Sequence, residues 1–213
     1  DYFRKNGGIV FPNPNAPTAV EMSIDKVEEI IKNNQDSVVI VDEAYVDFGA
    51  TSALKFIEKY DNVLVVRTFS KSRSAAGLRI GYAMGNEKLI SAMLAVKFSY
   101  NSYTMNFPTI YAGVEAIKDD AYFKNLVEKI ITTRENAKTK LKELGFTCTD
   151  SKTNFLFATH KSAKAEDIFN YLKTKNIYVR YFKKPRIDNY LRITIGTDDE
   201  MEKLYLALEE YLK

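Results

Sequence analysis

The chain of 213 residues carries 31 Lys and Arg against 28 Asp and Glu, a net charge of +3, and 46% of it is hydrophobic. That balance suits a globular protein with one large domain, or one domain and a smaller companion, and its scattered cations leave no nucleic-acid or membrane footprint. A single cysteine, Cys148, excludes an internal disulfide framework and fits a reducing cytosol, and no apolar run approaches membrane-span length.

Taken in order, Ile9-Val10-Phe11 predicts a short strand that stops at "PNPNAPTA", where Pro12, Pro14 and Pro17 forbid helix and central strand alike. Ser23 reads as an N-cap, followed by a helix with Ile24, Val27, Ile30 and Ile31 on one face. Val38 to Val41 is apolar on both sides, the pattern of a buried parallel strand. A second helix is expected from Ser52 to Tyr60, and "NVLVVRTFS" is another buried strand. This alternation implies a parallel sheet with crossover connections. "RIGYAMG" predicts a further strand and "EKLISAMLAVK" a helix. From Phe107 to Leu144 the pattern is helical, with breaks at Gly113 and Asp119-Asp120. Beyond Gly145, "FTCTD", "NFLFATH", "IYVRYF" and "YLRITIG" read as strands, with helices between Ala163 and Lys175 and from Asp198 onward. The expected class is therefore α/β: a large unit over residues 1–119 with a mostly parallel sheet, and an α+β unit over 120–213.

Ligands of open parallel sheets bind at the carboxyl ends of the strands. Three such ends carry Asn13 to Pro17, then Asp42 with Tyr45, then Thr68, Ser70 and Lys71. If the strands are neighbours, an acid, a phenol, two hydroxyls and an amine meet on one rim. Pyridoxal phosphate asks for that set: a lysine for a Schiff base, a carboxylate at its ring nitrogen, and a donor at its phenolate oxygen. Its phosphate needs hydroxyls and a guanidinium, which Thr68, Ser70 and Arg79 supply, with Gly77 and Gly81 letting backbone pass close by.

"NPNAPT", "VDEAYVDF", "RTFSKSRSAAGLRIGY" and "YLRITIG" resemble the fold-type I aminotransferases, nearest the histidinol-phosphate aminotransferase branch. The resemblance implies an incomplete large domain of that fold plus a C-terminal small domain. It implies Lys71 as the Schiff-base lysine, Asp42 at the pyridine nitrogen and Tyr45 at the phenolate oxygen. Thr68, Ser70 and Arg79 then hold the cofactor phosphate, with Asn15 a further cofactor contact. Arg192 and Arg180 grip the substrate's anionic end from the second unit, and Asn154 matches a recurrent position. The implied activity is transamination of histidinol phosphate with glutamate and 2-oxoglutarate, in a cytoplasmic homodimer. In that activity Lys71 is the group that moves the proton between the substrate's Cα and the cofactor. A threonine-phosphate decarboxylase or aromatic aminotransferase of the same fold, and a non-catalytic folded module, are the alternatives.

The chain departs from the family pattern at Ala16, where asparagine is usual, and at Ala19, where glycine is usual and a positive φ would strain alanine. It also lacks a counterpart to the family's N-terminal segment, since "KNGGIV" precedes the wrong strand. A fragment is therefore expected, with Val38 to Val41 partly exposed and a tendency to self-associate. Elsewhere the expectations are plain. His160 is an exposed strand-end residue and Cys148 a half-buried one. Lys183 to Arg186 form a solvated loop. Tyr100, Tyr103 and Tyr111 pack in a core, or else contact a second subunit.

Overall fold

The computed structural model describes residues 2–213. The first sheet has four strands in the order β1 (Ile9–Pro12), β2 (Val39–Asp42), β3 (Val63–Thr68) and β4 (Gly81–Gly85). β1, β2 and β3 are parallel, and β4 runs antiparallel to β3. Alternation decides the faces. Ile9, Phe11, Val39, Val41, Val63 and Val65 point to one side, where Val27, Ile30 and Ile31 of α1 (Ile24–Lys32) cover them together with Ala53 and Phe56. The expected partial exposure of the central strand holds on one face only: Val38 and Ile40 are half-buried, Val39 and Val41 are fully buried, and Val10 on the edge strand is 68% exposed.

Two further expectations change. The helix expected from Ser52 to Tyr60 is a single 3₁₀ turn, Ala53–Phe56, started by the Ser52 hydroxyl accepting from the Leu54 amide. Ala53 and Phe56 are the buried residues of the turn, at a spacing of three that matches one 3₁₀ turn, while Leu54, Ile57 and Tyr60 pack half-buried against the same core. Gly113 does not break the helical stretch. It lies inside α3 (Phe107–Lys118), where a Cβ would come within 2.8 Å of Ile80 Cδ1, so glycine serves a close approach. The break falls at Asp119, between α3 and α4 (Asp120–Glu143). Ser23 stands at the N-cap of α1 without a side-chain cap bond, its carbonyl instead receiving Lys26 and Val27 N–H.

The chain divides into two compact units, residues 1–15 with 21–126, and residues 16–20 with 127–213. The first also contains α2 (Glu87–Tyr100), which buries none of its residues. The second holds an antiparallel sheet in the order β5 (Phe146–Cys148), β6 (Phe155–His160), β8 (Leu191–Thr194), β7 (Arg180–Tyr181). "IYVRYF" thus yields only a two-residue strand. Leu156, Ala158, Leu191 and Ile193 form one core with Leu141 of α4, Ile168 and Leu172 of α5 (Ala165–Thr174), and Leu204 and Leu208 of α6 (Asp198–Leu212). α6 begins with a reciprocal capping box between Thr197 and Glu200.

Candidate active site

Register brings the three strand ends of the first unit together. Pro12 lies opposite Asp42, and Asp42 opposite Val66, so β3 runs two residues further, to Thr68. Asp42 and Thr68 have the same parity as Ile40 and Val66, so both face away from the α1-covered core. Asp42 Oδ1 accepts from the Ala44 amide at 3.0 Å, which turns the chain toward Tyr45. Tyr45 precedes a 3₁₀ turn, Val46–Phe48, closed by Gly49 at φ 103°. Lys71 Nζ lies 5.4 Å from the centroid of the Tyr45 ring.

Beyond β3, the Thr68 hydroxyl lies 3.0 Å from the Ser70 hydroxyl and accepts from the Ser70 amide. It also contacts the Ile80 carbonyl, which in turn receives the Phe69 amide. Arg79 is the residue before Ile80, in the left-handed conformation at φ 56°, exposed, with Nη1 donating to the Ala76 carbonyl. It borders an open pocket of about 470 Å³ with Lys97 and Met105. Gly81 lies opposite Thr68, where a Cβ would stand 3.3 Å from the Arg67 carbonyl. In the loop after β1, Asn13 bonds both the amide and carbonyl of Met22 and folds the proline segment back, with Asn15 half-buried in it. Asp42, Tyr45, Thr68, Ser70, Lys71 and Arg79 thus come from adjoining strand ends of one sheet.

Sequence reasoning missed the groups on the opposite face of the same strand ends. Glu43 is buried and accepts from Arg67 Nε at 3.0 Å and Nη2 at 2.9 Å, from the Ser52 hydroxyl and from the Ala53 amide. Burial works against the Arg67 charge, but the Glu43 carboxylate outweighs it and raises the guanidinium above its ordinary value. Arg67 Nη1 also reaches Asp47 at 3.8 Å, and Asp47 accepts the hydroxyl proton of the buried Ser72. Adjacency in sequence and alternation in the strand were the available signal.

In the second unit, Arg180 and Arg192 are direct partners across β7 and β8. Both guanidinium carbons lie near the Phe182 ring, at 5.5 and 5.9 Å, and Arg192 also lies 5.0 Å from Phe155. Like charges set opposite each other destabilise a sheet. Among the described residues neither forms an ion pair, and Arg192 Nε is buried without a hydrogen-bond partner. Asn154, just before β6, receives the Ile195 amide on its carbonyl.

His160 is corrected from exposed to buried. Its Nδ1 accepts from the Ser162 and Ala163 amides, which leaves Nε2 to donate to the Leu144 carbonyl, a structural tie. Tyr100 and Tyr103 are corrected from core to surface, 92% and 94% exposed, and Tyr111 is exposed as well. Cys148 is half-buried, and burial pushes its thiol up to about 11. Lys183 to Arg186 are exposed. Among the described residues no group of His, Cys, Asp and Glu could hold a metal ion, and no helix is long and apolar enough to cross a membrane.

A family model described as aminotransferase class I and II matches residues 2–208. The chain belongs to the class I and II aminotransferases. Within that family, it is 58% identical over 203 residues to the histidinol-phosphate aminotransferase of Brachyspira hyodysenteriae, covering 95% of this chain and 57% of the relative. It is 51% identical to the enzyme of the same name from Clostridium acetobutylicum, covering 99% and 60%. The chain therefore spans less than two thirds of the length of these curated relatives. Among solved structures, one described as a histidinol-phosphate aminotransferase from Clostridium acetobutylicum, distinct in sequence from the 51% relative, superposes with a TM-score of 0.89 at 22% identity, covering 97% of this chain and 64% of that one. The Sinorhizobium meliloti enzyme, solved in complex with pyridoxal-5'-phosphate, gives 0.87 at 24% identity, covering 97% and 57%. At these identities the structural likeness speaks for the fold: a mostly parallel α/β sheet beside a small antiparallel one.

Proposed function

We propose that the chain belongs to a pyridoxal-phosphate-dependent enzyme that transaminates histidinol phosphate, with glutamate and 2-oxoglutarate as the amino-group pair. The observation that carries this reading is the convergence of Asp42, Tyr45, Thr68, Ser70, Lys71 and Arg79 on adjoining strand ends. The donor set suits the cofactor: a primary amine, a carboxylate, a phenol, two hydroxyls and a guanidinium free of any ion pair among the described residues. The names of the relatives support the substrate.

Pyridoxal phosphate, when bound, supplies an electron sink for the pair left at the substrate's Cα. Lys71 Nζ would hold it covalently, and the same amine is the group placed to take a proton from the substrate's Cα. Asp42 holds a proton on the ring nitrogen. Tyr45 Oη would donate to the phenolate oxygen, its ring centroid lying 5.4 Å from Lys71 Nζ. Thr68, Ser70 and Arg79 bind the phosphate dianion by charge-assisted bonds, and Asn15 is a further contact. Arg192 and Arg180, a cationic pair without an acid, take the substrate's phosphate, with Asn154 as a third substrate contact. The working protein is a cytoplasmic homodimer in this reading.

The test uses the full-length protein. A visible absorbance band should appear with pyridoxal phosphate and vanish in Lys71→Ala. Histidinol phosphate and 2-oxoglutarate should yield glutamate, and Arg192→Ala should raise KM for histidinol phosphate. A band that survives Lys71→Ala removes the assignment. Carbon dioxide released from phosphothreonine, with no glutamate formed, makes the enzyme a decarboxylase instead.

A further inference from the structure

Four of the proposed site residues on the first sheet have, one or two positions away, a member of one polar network in which Glu43 and Ser72 are buried and Arg67 and Asp47 half-buried. Asp42 is followed by Glu43, Thr68 is preceded by Arg67, Lys71 is followed by Ser72, and Tyr45 stands two residues before Asp47. Glu43 N–H extends the β2–β3 ladder onto the Val66 carbonyl, which sets Glu43 beside Arg67. For Arg67 and Thr68 in β3, and for Asp42 at the end of β2 with Glu43 after it, neighbours in an extended chain point to opposite faces, so fixing one fixes the direction of the next. The Glu43 carboxylate accepts four donors: Arg67 Nε and Nη2, the Ser52 hydroxyl and the Ala53 amide. Two of these form the bidentate fork that fixes angle as well as distance. Arg67 then passes the constraint through Asp47 to Ser72, the residue bonded to Lys71.

We propose that Glu43 and Arg67 are positioning residues: their ion pair, buried at Glu43 and half-buried at Arg67, extends through Asp47 to Ser72 and sets Asp42 and Lys71 in fixed relation at the rim. This rests on the reading of Lys71 and Asp42 given above. A buried pair of this kind is weak evidence for stability, because a well-packed apolar pair can equal it. Geometry is what it supplies that an apolar pair does not. A misplacement of about 1 Å by a mutation away from the reacting atoms costs up to about a hundredfold in rate.

The experiment compares the full-length protein with its Glu43→Gln and Ser72→Ala variants, saturated with pyridoxal phosphate and kept well below their melting temperatures. Glutamine keeps the shape and an acceptor for the Ala53 amide but gives up the charge facing Arg67. Ser72→Ala removes one hydroxyl from the far end and leaves the pair intact. The readout is the pH midpoint of the visible cofactor band, which reports where the Lys71 nitrogen stands relative to the ring and to Asp42. The expected result in Glu43→Gln is a midpoint moved by more than about half a pH unit, with kcat lowered about tenfold to a hundredfold and KM within about threefold. A lower melting temperature with an unmoved midpoint and unchanged kcat overturns the proposal. If Glu43→Gln does not fold, Ser72→Ala decides by the same readout. A band that persists in Lys71→Ala sinks the parent reading instead, whatever these two variants do.

Discussion

Ala19 holds φ at 65° with its methyl fully buried, and its carbonyl receives the Lys152 amide. Left-handed backbone costs a residue with a Cβ about 1 kcal/mol or slightly more, while burying that methyl returns about 0.8 kcal/mol. Ala19→Gly should therefore change stability by less than about 1 kcal/mol, and Ala19→Val should cost more than about 2 kcal/mol, because a branched Cβ fits neither the φ nor the space. Urea unfolding of the two variants checks both. The motif position made this φ legible in advance. Glu43 was not legible, because a carboxylate beside Asp42 reads as one more polar loop residue until the β2–β3 register sets it against Arg67. His160 was misread for a similar reason. Its residue type suggests a surface, but three backbone groups from two segments meet its ring.

Among the elements, α1 followed its apolar spacing, and Val27, Ile30 and Ile31 are buried as expected. The segment after Ser52 did not become a helix, and its contact with α1 explains why. Lys59 and Tyr60 both donate to Glu28 of α1, which holds the chain in turns where a helix would carry it away. The Glu28 carboxyl is held down at about 2, first by the Lys59 hydrogen bond and then by the Tyr60 hydroxyl. Its contribution is therefore fully present above its ordinary value of 4.5 and is lost as pH falls from there through about 2. The difference in urea midpoint between wild type and Glu28→Gln should be small, because the site is solvated. It should be largest above pH 5 and disappear near pH 2. A difference that grows toward acid pH contradicts this account.

At the scale of the molecule, the exposed apolar side chains concentrate on α2 and α3 and the turn between them: Val96, Phe98, Tyr100, Tyr103, Phe107 and Tyr111. Exposed apolar side chains gathered on neighbouring segments drive association when nothing covers them. Residues 1–213 alone should self-associate in sedimentation velocity at micromolar concentration, and Phe98→Ser with Tyr103→Ser should reduce that association. A monomer at those concentrations contradicts the expectation. The sequence by itself determined the class of fold, the strand ends and the residue types gathered there, because hydrophobic period and proline or glycine punctuation are local properties of a chain. Only the tertiary structure decided which face each end presents, that Glu43 and Arg67 lie against each other behind the site, that Arg180 opposes Arg192, and that α2 stays uncovered. Each of those depends on strand register or packing between segments far apart in the chain, and such pairings are fixed by burial and hydrogen bonding that no single stretch of sequence carries.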